Sequence, residues 1–133
     1  MNQSTINNAI RALVAKIARQ ENLKAAWPNM PFDDINEPYL QLHIMPATTQ
    51  NIGLSLDMPL FRGVIQVNVV GKSSSGDSML THLADRIAGY LQNGLSLAES
   101  LYLNDEPGIL PSIQDGTNYT IPIRTSYQCN AIR

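Results

Sequence analysis

Apolar residues recur at helical spacing in two stretches of the chain. In the first stretch the intervals are four, three and four residues, at Ile6, Ile10, Leu13 and Ile17. In the second stretch the apolar positions are Leu80, Leu83, Ala84, Ile87 and Leu91. Each set lies along one face of a helix. The pattern therefore predicts one helix from about residue 5 to residue 22 and another that includes residues 80–91. Asp77 or Ser78 is expected to cap the second helix, and Gly94 to end it.

Three further stretches alternate between apolar and polar residues, as half-buried strands do. They are residues 39–45, 62–71 and 119–129. The middle stretch is dominated by β-branched residues, which favour strands. Pro122 interrupts the last stretch, and proline lacks the N–H that a strand donates to its neighbour, so we expect a sheet edge or a bulge there. Shorter strands are predicted near Leu101 and around Pro111.

Residues 46–61 form a segment that prolines bracket and that carries no charge apart from Asp57. Sixteen residues are many for a loop in a compact domain. Its alternating apolar positions are Ile52, Leu54, Leu56, Met58 and Leu60. The pattern predicts a protruding, hairpin-like arm. Its apolar side chains need a place to be buried, either on a neighbouring subunit or on the arm's own domain.

The order of these elements predicts the fold class. A helix is followed by two strands joined through the arm, then by a second helix and about three strands. We predict one domain over residues 1–133, of the α+β class, with a mostly antiparallel β-sheet and two α-helices packed on it.

Composition and charge narrow the classes of function. Charged residues make up 15% of the chain, against roughly 25% in typical domains, so either partners cover part of the surface or the surface is rich in uncharged polar residues. The net charge of −2 gives no general attraction to nucleic acid. The single cysteine excludes an internal disulfide. The sequence shows no signal-peptide core and no membrane span, so we expect a soluble protein made in the cytoplasm.

The stretch Gly71-Lys72-Ser73 resembles the end of a phosphate-binding loop, which raises the possibility of a small nucleotide-binding module. A Walker loop has a first glycine five residues before the second, and that position holds Gln66, inside a predicted strand. The lysine of such a loop also lies on the first turn of the helix, where backbone N–H groups face the phosphates. Here at least three residues, Ser74 to Gly76, separate Ser73 from the expected cap, so a turn that precedes a helix is the favoured interpretation.

No pattern supports catalysis or metal binding. The histidines are His43 and His82, and they lack the spacing of a metal site. Cys129 lies in a predicted strand, where packing is its usual role. An enzyme that used Cys129 or His43 would need a constellation that the sequence does not show. We therefore expect no enzyme activity and no cofactor.

Several stretches together resemble the tail terminator-like proteins of long-tailed bacteriophages and prophages. They are AWPNMPF, PYLQLHIMPATTQNIGLS, PLFRGVIQVNVV, HLADRIAGYL and GILPSIQDGTNYTIPIRTSYQC. The resemblance spans nearly the whole chain, and its most specific parts are residues 59–70 and 111–129. It implies an α+β fold and a structural role without catalytic residues. Another neck or head-completion protein is the alternative within this class.

The resemblance also implies partners. Such proteins form a homo-hexameric ring on the head-proximal end of the tail tube, stop tube growth and present the surface that joins the head, with DNA only passing through the lumen. We expect this chain in the virion tail, in contact with the tube protein and a head-completion protein. The residues predicted to contact a neighbour or the tube are Leu54, Leu56, Met58, Leu60, Phe61 and Arg62. The acidic residues predicted to line the lumen or a ring face are Asp33, Asp34 and Glu37.

Overall fold

A computed structural model describes residues 3–26, 38–47, 50–52, 58–72, 77–98, 100–115 and 118–130. Within these ranges the chain forms two helices and nine strands. The helices are α1 (Gln3–Gln20) and α2 (Asp77–Tyr90). The strands are β1 (Lys24–Ala26), β2 (Tyr39–Pro46), β3 (Gln50–Ile52), β4 (Met58–Lys72), β5 (Ser96–Ala98), β6 (Leu101–Leu103), β7 (Gly108–Ile109), β8 (Ile113–Asp115) and β9 (Asn118–Asn130). The prediction of an α+β fold with a mostly antiparallel sheet is confirmed.

The first helix carries the predicted apolar stripe and ends in a left-handed cap. Ile6, Ile10 and Ile17 are buried in the core. Asn22 has a φ of 55°, and the N–H of Leu23 donates to the carbonyl of Ala18 at 2.8 Å. These are the features of a Schellman ending, in which a left-handed residue lets the next N–H reach back to the last turn. The predicted boundaries, residues 5 and 22, are each two residues later in the sequence than those of α1.

The second helix ends earlier than predicted. Its last residue is Tyr90, whereas Gly94 lies four residues further on with a φ of 89°. The N–H of Gly94 donates to the carbonyl of Leu103 at 2.7 Å. Gly94 is therefore the left-handed residue of the turn that leads into β5 and β6, and it does not cap the helix.

Long antiparallel pairs form the centre of the sheet. The strand order is β1-β2-β4-β9-β6-β5, with β3 on β4 and both β7 and β8 on β9. β4 pairs with β2 on one side and with β9 on the other, and the β4–β9 register continues unbroken from Leu60↔Asn130 to Lys72↔Asn118. Only the β1–β2 pair is parallel among the described strands.

Pro122 is inside the sheet, so the expectation of an edge or a bulge there is wrong. It lies opposite Asn68 in an unbroken register with β4. Its carbonyl accepts the N–H of Leu110 at 2.9 Å. The nitrogen of a strand residue points to the same side as its carbonyl, so the missing N–H of Pro122 faces the interruption between β7 and β8. A proline is tolerated in this central strand because the neighbouring strand on that side is interrupted between β7 and β8.

Both helices cover one face of the sheet and enclose the core. Alternate residues of the central strands point towards the helices, including Leu40 and Leu42 of β2, Ile65 and Val67 of β4, and Ile121 and Ile123 of β9. Thr125 is buried among them, and its hydroxyl donates to the carbonyl of Asp105 at 3.1 Å. A buried hydroxyl with a partner avoids the cost of an unsatisfied polar group.

Candidate assembly surfaces

The predicted arm begins as a hairpin at one end of the sheet. Gln50 lies opposite Leu60 and Ile52 lies opposite Met58, in antiparallel register. Leu60 is also opposite Asn130 of β9, so the base of the arm is three strands wide. Leu54 and Leu56, two of the predicted contact residues, lie outside the described residues. Met58 and Leu60, two others, lie in β4, where they pair with β3.

Phe61 and Arg62 lie side by side at the base of the arm, on opposite faces of β4. Phe61 is opposite Cys129 and packs, half-buried, against the core. Arg62 is opposite Gln128 and exposed. The structure therefore divides the two predicted contact residues: Phe61 anchors the arm to its own domain, and Arg62 presents a cation to solvent.

A close approach of three strands fixes the base of the arm. A methyl group placed on Gly63 would lie 2.7 Å from the carbonyl oxygen of Met45 and 2.7 Å from the hydroxyl oxygen of Tyr127. The Tyr127 side chain is fully buried, and burial raises the pKa of its hydroxyl. That hydroxyl accepts a hydrogen bond from the Gln3 side chain at 3.2 Å. Glycine at position 63 therefore allows β2, β4 and β9 to pack closely where the arm leaves the sheet.

Polar side chains form a ladder across the face of the sheet that lies opposite the helices. The Asn68 amide donates to Gln41 at 3.0 Å, and the Gln66 amide donates to Asn68 at 2.9 Å. The Arg124 guanidinium then donates to Gln66 through Nη2 at 2.7 Å and through Nε at 3.2 Å. Side chains of β2, β4 and β9 are thus joined by hydrogen bonds, and the ladder ends on a cation.

This face is exposed mainly on the side near the arm. Asn68 and Val70 are buried, whereas His43, Arg62 and Arg124 are exposed. Met45 is also exposed there, at 41%. Sequence reasoning did not identify this surface. The signal was present in the alternation of residues 39–45 and 62–71, whose second face carries amides and cations.

An ion pair joins the ends of the two helices. Glu21, just after α1, accepts a hydrogen bond from Nε of Arg86 at 2.9 Å and another from the Tyr90 hydroxyl at 2.9 Å. The hydrogen bond from Arg86 is the largest cause that lowers the pKa of the Glu21 carboxyl. The bond to Glu21 is also the largest cause that raises the pKa of the Tyr90 hydroxyl. The arrangement is a link between the two helices.

The remaining candidates for chemistry do not come together. Cys129 is fully buried on the helical side of β9, while His43 is exposed on the opposite face of β2. Burial raises the pKa of the Cys129 thiol, which disfavours the reactive thiolate. Within the described ranges no group of three His, Cys, Asp or Glu side chains can hold a metal ion. In the same part of the chain, no helix is long and apolar enough to cross a membrane.

The geometry after β4 also differs from a phosphate-binding loop. Gln66 is in the middle of β4, Lys72 is the last residue of that strand, and α2 begins at Asp77. The lysine is therefore not on the first turn of the helix. The structure therefore confirms the spacing that disfavours a nucleotide-binding loop at this position.

Asp33, Asp34 and Glu37 lie outside the described residues, so their predicted position in the lumen or on a ring face stays a prediction. The described residues define a small α+β domain with an anchored arm and a polar sheet face, and these two features are its candidate contact surfaces.

Comparison with known proteins identifies the family. The sequence profile of the phage tail terminator protein family matches residues 5–127, and the chain belongs to that family. The family is structural, and membership gives this protein a structural role in a phage tail, in association with other tail components.

Structural comparison supports the fold. A solved structure whose name carries no function superimposes with a TM-score of 0.82, at 23% sequence identity, over 100% of this chain and 99% of the other. At this identity the likeness concerns the fold alone. No curated protein matches the chain.

Proposed function

We propose that this protein caps the head-proximal end of the tail tube. In this role it ends the polymerisation of tube subunits and forms the surface that joins the head. It acts as a homo-hexameric ring around a lumen through which DNA passes. Family membership over residues 5–127 is the observation that carries the proposal. The tube protein and a head-completion protein are the partners on the two faces of the ring.

A ring requires contacts that join different surfaces of neighbouring copies and that close after a fixed number of subunits. The arm is suited to such a contact. It has an anchored base, where Phe61 packs on the core and Gly63 allows close packing. It also carries the apolar residues Leu54 and Leu56 in its sequence. We propose that the arm packs on a neighbouring copy or on the tube.

Tail length tests the capping role. Tails are produced with and without the gene for this protein and are measured by electron microscopy. Overlong or unterminated tubes in its absence, with normal length restored by the gene in trans, are expected. Tubes of normal length that join heads without the protein would show that it does not end polymerisation.

An arm deletion tests the contact. Because Gln50 and Leu60 are directly opposite, residues 51–59 can be replaced by Asn-Gly, the two-residue turn that joins paired strands. The shortened protein is expected to fold, by circular dichroism and thermal melting, and to be absent from tails. His82→Ala, an exposed change on α2, is the control and should be retained. A shortened protein that still caps tails would exclude the arm from assembly.

A further inference from the structure

The face of the sheet opposite the helices carries a distinct solvent-facing area next to the arm, made of exposed and half-buried side chains. We call it the arm-side surface, and it consists of His43, Met45, Arg62, Val64, Gln66 and Arg124. Three of these residues form one row across the sheet, because Gln66 is opposite both His43 and Arg124. Met45 and Val64 form the next row. The surface therefore combines an apolar centre with cations at its borders.

The three strands that form this area contribute cations and no anions. The sequences of β2, β4 and β9 contain no Asp or Glu. The salt bridge found within the described ranges, Glu21–Arg86, belongs to the helices. Arg124 is bound to the neutral Gln66 amide through two hydrogen bonds. These bonds hold its guanidinium in place on the surface, where it can still meet a carboxylate.

A carboxylate-bearing protein fits this surface better than DNA does. Four residues along β4 and one strand separation place Arg62 and Arg124 about 14 Å apart. Two such cations around exposed Met45 and half-buried Val64 are far fewer than the ~6–10 phosphate contacts that give DNA binding its strong salt dependence. Methionine and arginine are enriched where proteins meet, and charged groups there select partners of opposite sign.

The chain itself contains a segment of the required charge. Residues 33–37 hold three carboxylates, on Asp33, Asp34 and Glu37, and residues 26–38 contain no Lys or Arg. A contact between this segment of one copy and a basic surface of the next joins two different surfaces. Such head-to-tail contacts are the kind that close into rings.

We propose that the arm-side surface binds residues 33–37 of a second copy of this chain and so forms the boundary between neighbouring protomers. The proposal rests on the ring proposed above. It places the three acids between protomers, whereas the sequence predicted the lumen or a ring face. The arm base and the arm-side surface then form one continuous contact area, because Arg62 belongs to both.

Charge reversal on both sides of the contact tests this assignment. The variants are Arg62→Glu/Arg124→Glu, Asp33→Lys/Asp34→Lys and the combination of the four. Two readouts are used: self-association of the purified protein by sedimentation velocity, and the amount of protein retained on purified tails. Each double variant is expected to lower both readouts by on the order of tenfold, because like charges then face each other. The combined variant should restore them.

Two controls make the result specific. Lys16→Glu/Arg19→Glu makes the same change of charge at exposed positions of α1 and should leave both readouts unchanged. Asp105→Lys/Glu106→Lys places cations on another exposed acidic pair and should not rescue Arg62→Glu/Arg124→Glu. Thermal melting of every variant separates loss of contact from loss of fold.

The possible failures are distinguishable. If wild-type protein caps tails and Arg62→Glu/Arg124→Glu does so equally well, the contact is refuted while the capping role stands. The contact would also be refuted if Asp105→Lys/Glu106→Lys rescued Arg62→Glu/Arg124→Glu, or if Lys16→Glu/Arg19→Glu alone lowered the two readouts. If tube length does not depend on the protein, the capping role fails. The contact between protomers is then tested by self-association in solution. A wild-type protein that associates neither in solution nor on tails overturns the proposal.

Discussion

Replacing Gly63 with alanine is expected to be among the most disruptive single-methyl changes in this domain. The added carbon would lie 2.7 Å from the Met45 carbonyl oxygen, 2.7 Å from the Tyr127 hydroxyl oxygen and 2.8 Å from Cε1 of the same ring. The first of these atoms is backbone in the paired strand β2. The others belong to a fully buried side chain. Neither neighbour can move without separating β2 from β4 or displacing the core.

The size of the effect follows from these contacts. Overpacking a close-packed site by a methyl group typically costs ~1–3 kcal/mol. Obstruction from both sides places Gly63→Ala near the upper end, at about 3 kcal/mol. For a domain of this length, such a loss lowers the melting temperature by on the order of 10 °C. Tyr127→Phe removes only one of the three close atoms, so it is not expected to rescue the variant.

Urea unfolding and thermal melting, both followed by circular dichroism, measure the change. Gly89→Ala is the matched control, because a methyl group at this exposed position of α2 meets no atom within 4 Å. It is expected to stabilise the domain by about 0.5 kcal/mol, since alanine restricts the unfolded chain. A loss below about 1 kcal/mol for Gly63→Ala would show that the strands separate easily and that the arm base is not rigid.

Two further predictions concern ionisable groups. The pKa of Glu21 is lowered in the folded protein, so its stabilisation is full above the unfolded value of 4.5 and is lost as the pH falls through the lowered folded value. Glu21→Gln should therefore lower the free energy of unfolding by at most about 0.5 kcal/mol at neutral pH and leave it unchanged in acid. Urea unfolding at both pH values measures this difference. A loss that persists in acid would contradict the prediction. Cys129 should react with a thiol reagent at least about a hundredfold more slowly in the folded protein than in denaturant, because opening it to solvent requires local unfolding; equal rates would mean that the strand is not closed.

The sequence predicted the elements whose pattern depends on the chain alone. The apolar stripe of α1 and the alternation of β2, β4 and β9 came directly from spacing, because one buried face imposes its period on the residues. The features that it missed depend on neighbours distant in sequence. The sequence predicts an edge or a bulge at Pro122, because the break between β7 and β8 that tolerates this proline cannot be read from the local pattern. Gly94 was assigned to a helix end because glycine favours any left-handed position.

The candidate surfaces were predictable to different degrees. The arm followed from the prolines and the alternation between residues 46 and 61, and its pairing at Gln50–Ile52 agrees with that prediction. The different exposure of Phe61 and Arg62 could not be predicted without knowing how β9 pairs with β4. The amide ladder was not predictable, because Gln41, Gln66 and Arg124 come from three strands and meet only in the folded sheet.

The central position of β9 has a consequence for how the chain acquires its structure. β9 connects the strands formed by residues 24–72 to those formed by residues 96–103, and each group reaches the other only through it. α1 contacts β1 and β2 as well as β5, so its apolar stripe is not fully covered until that connection exists. Pairings between distant parts of a chain form slowly. While the chain is being made, the early segments remain an incomplete sheet until residues 118–130 are added. Assembly-competent protein is therefore expected only after these residues have left the ribosome.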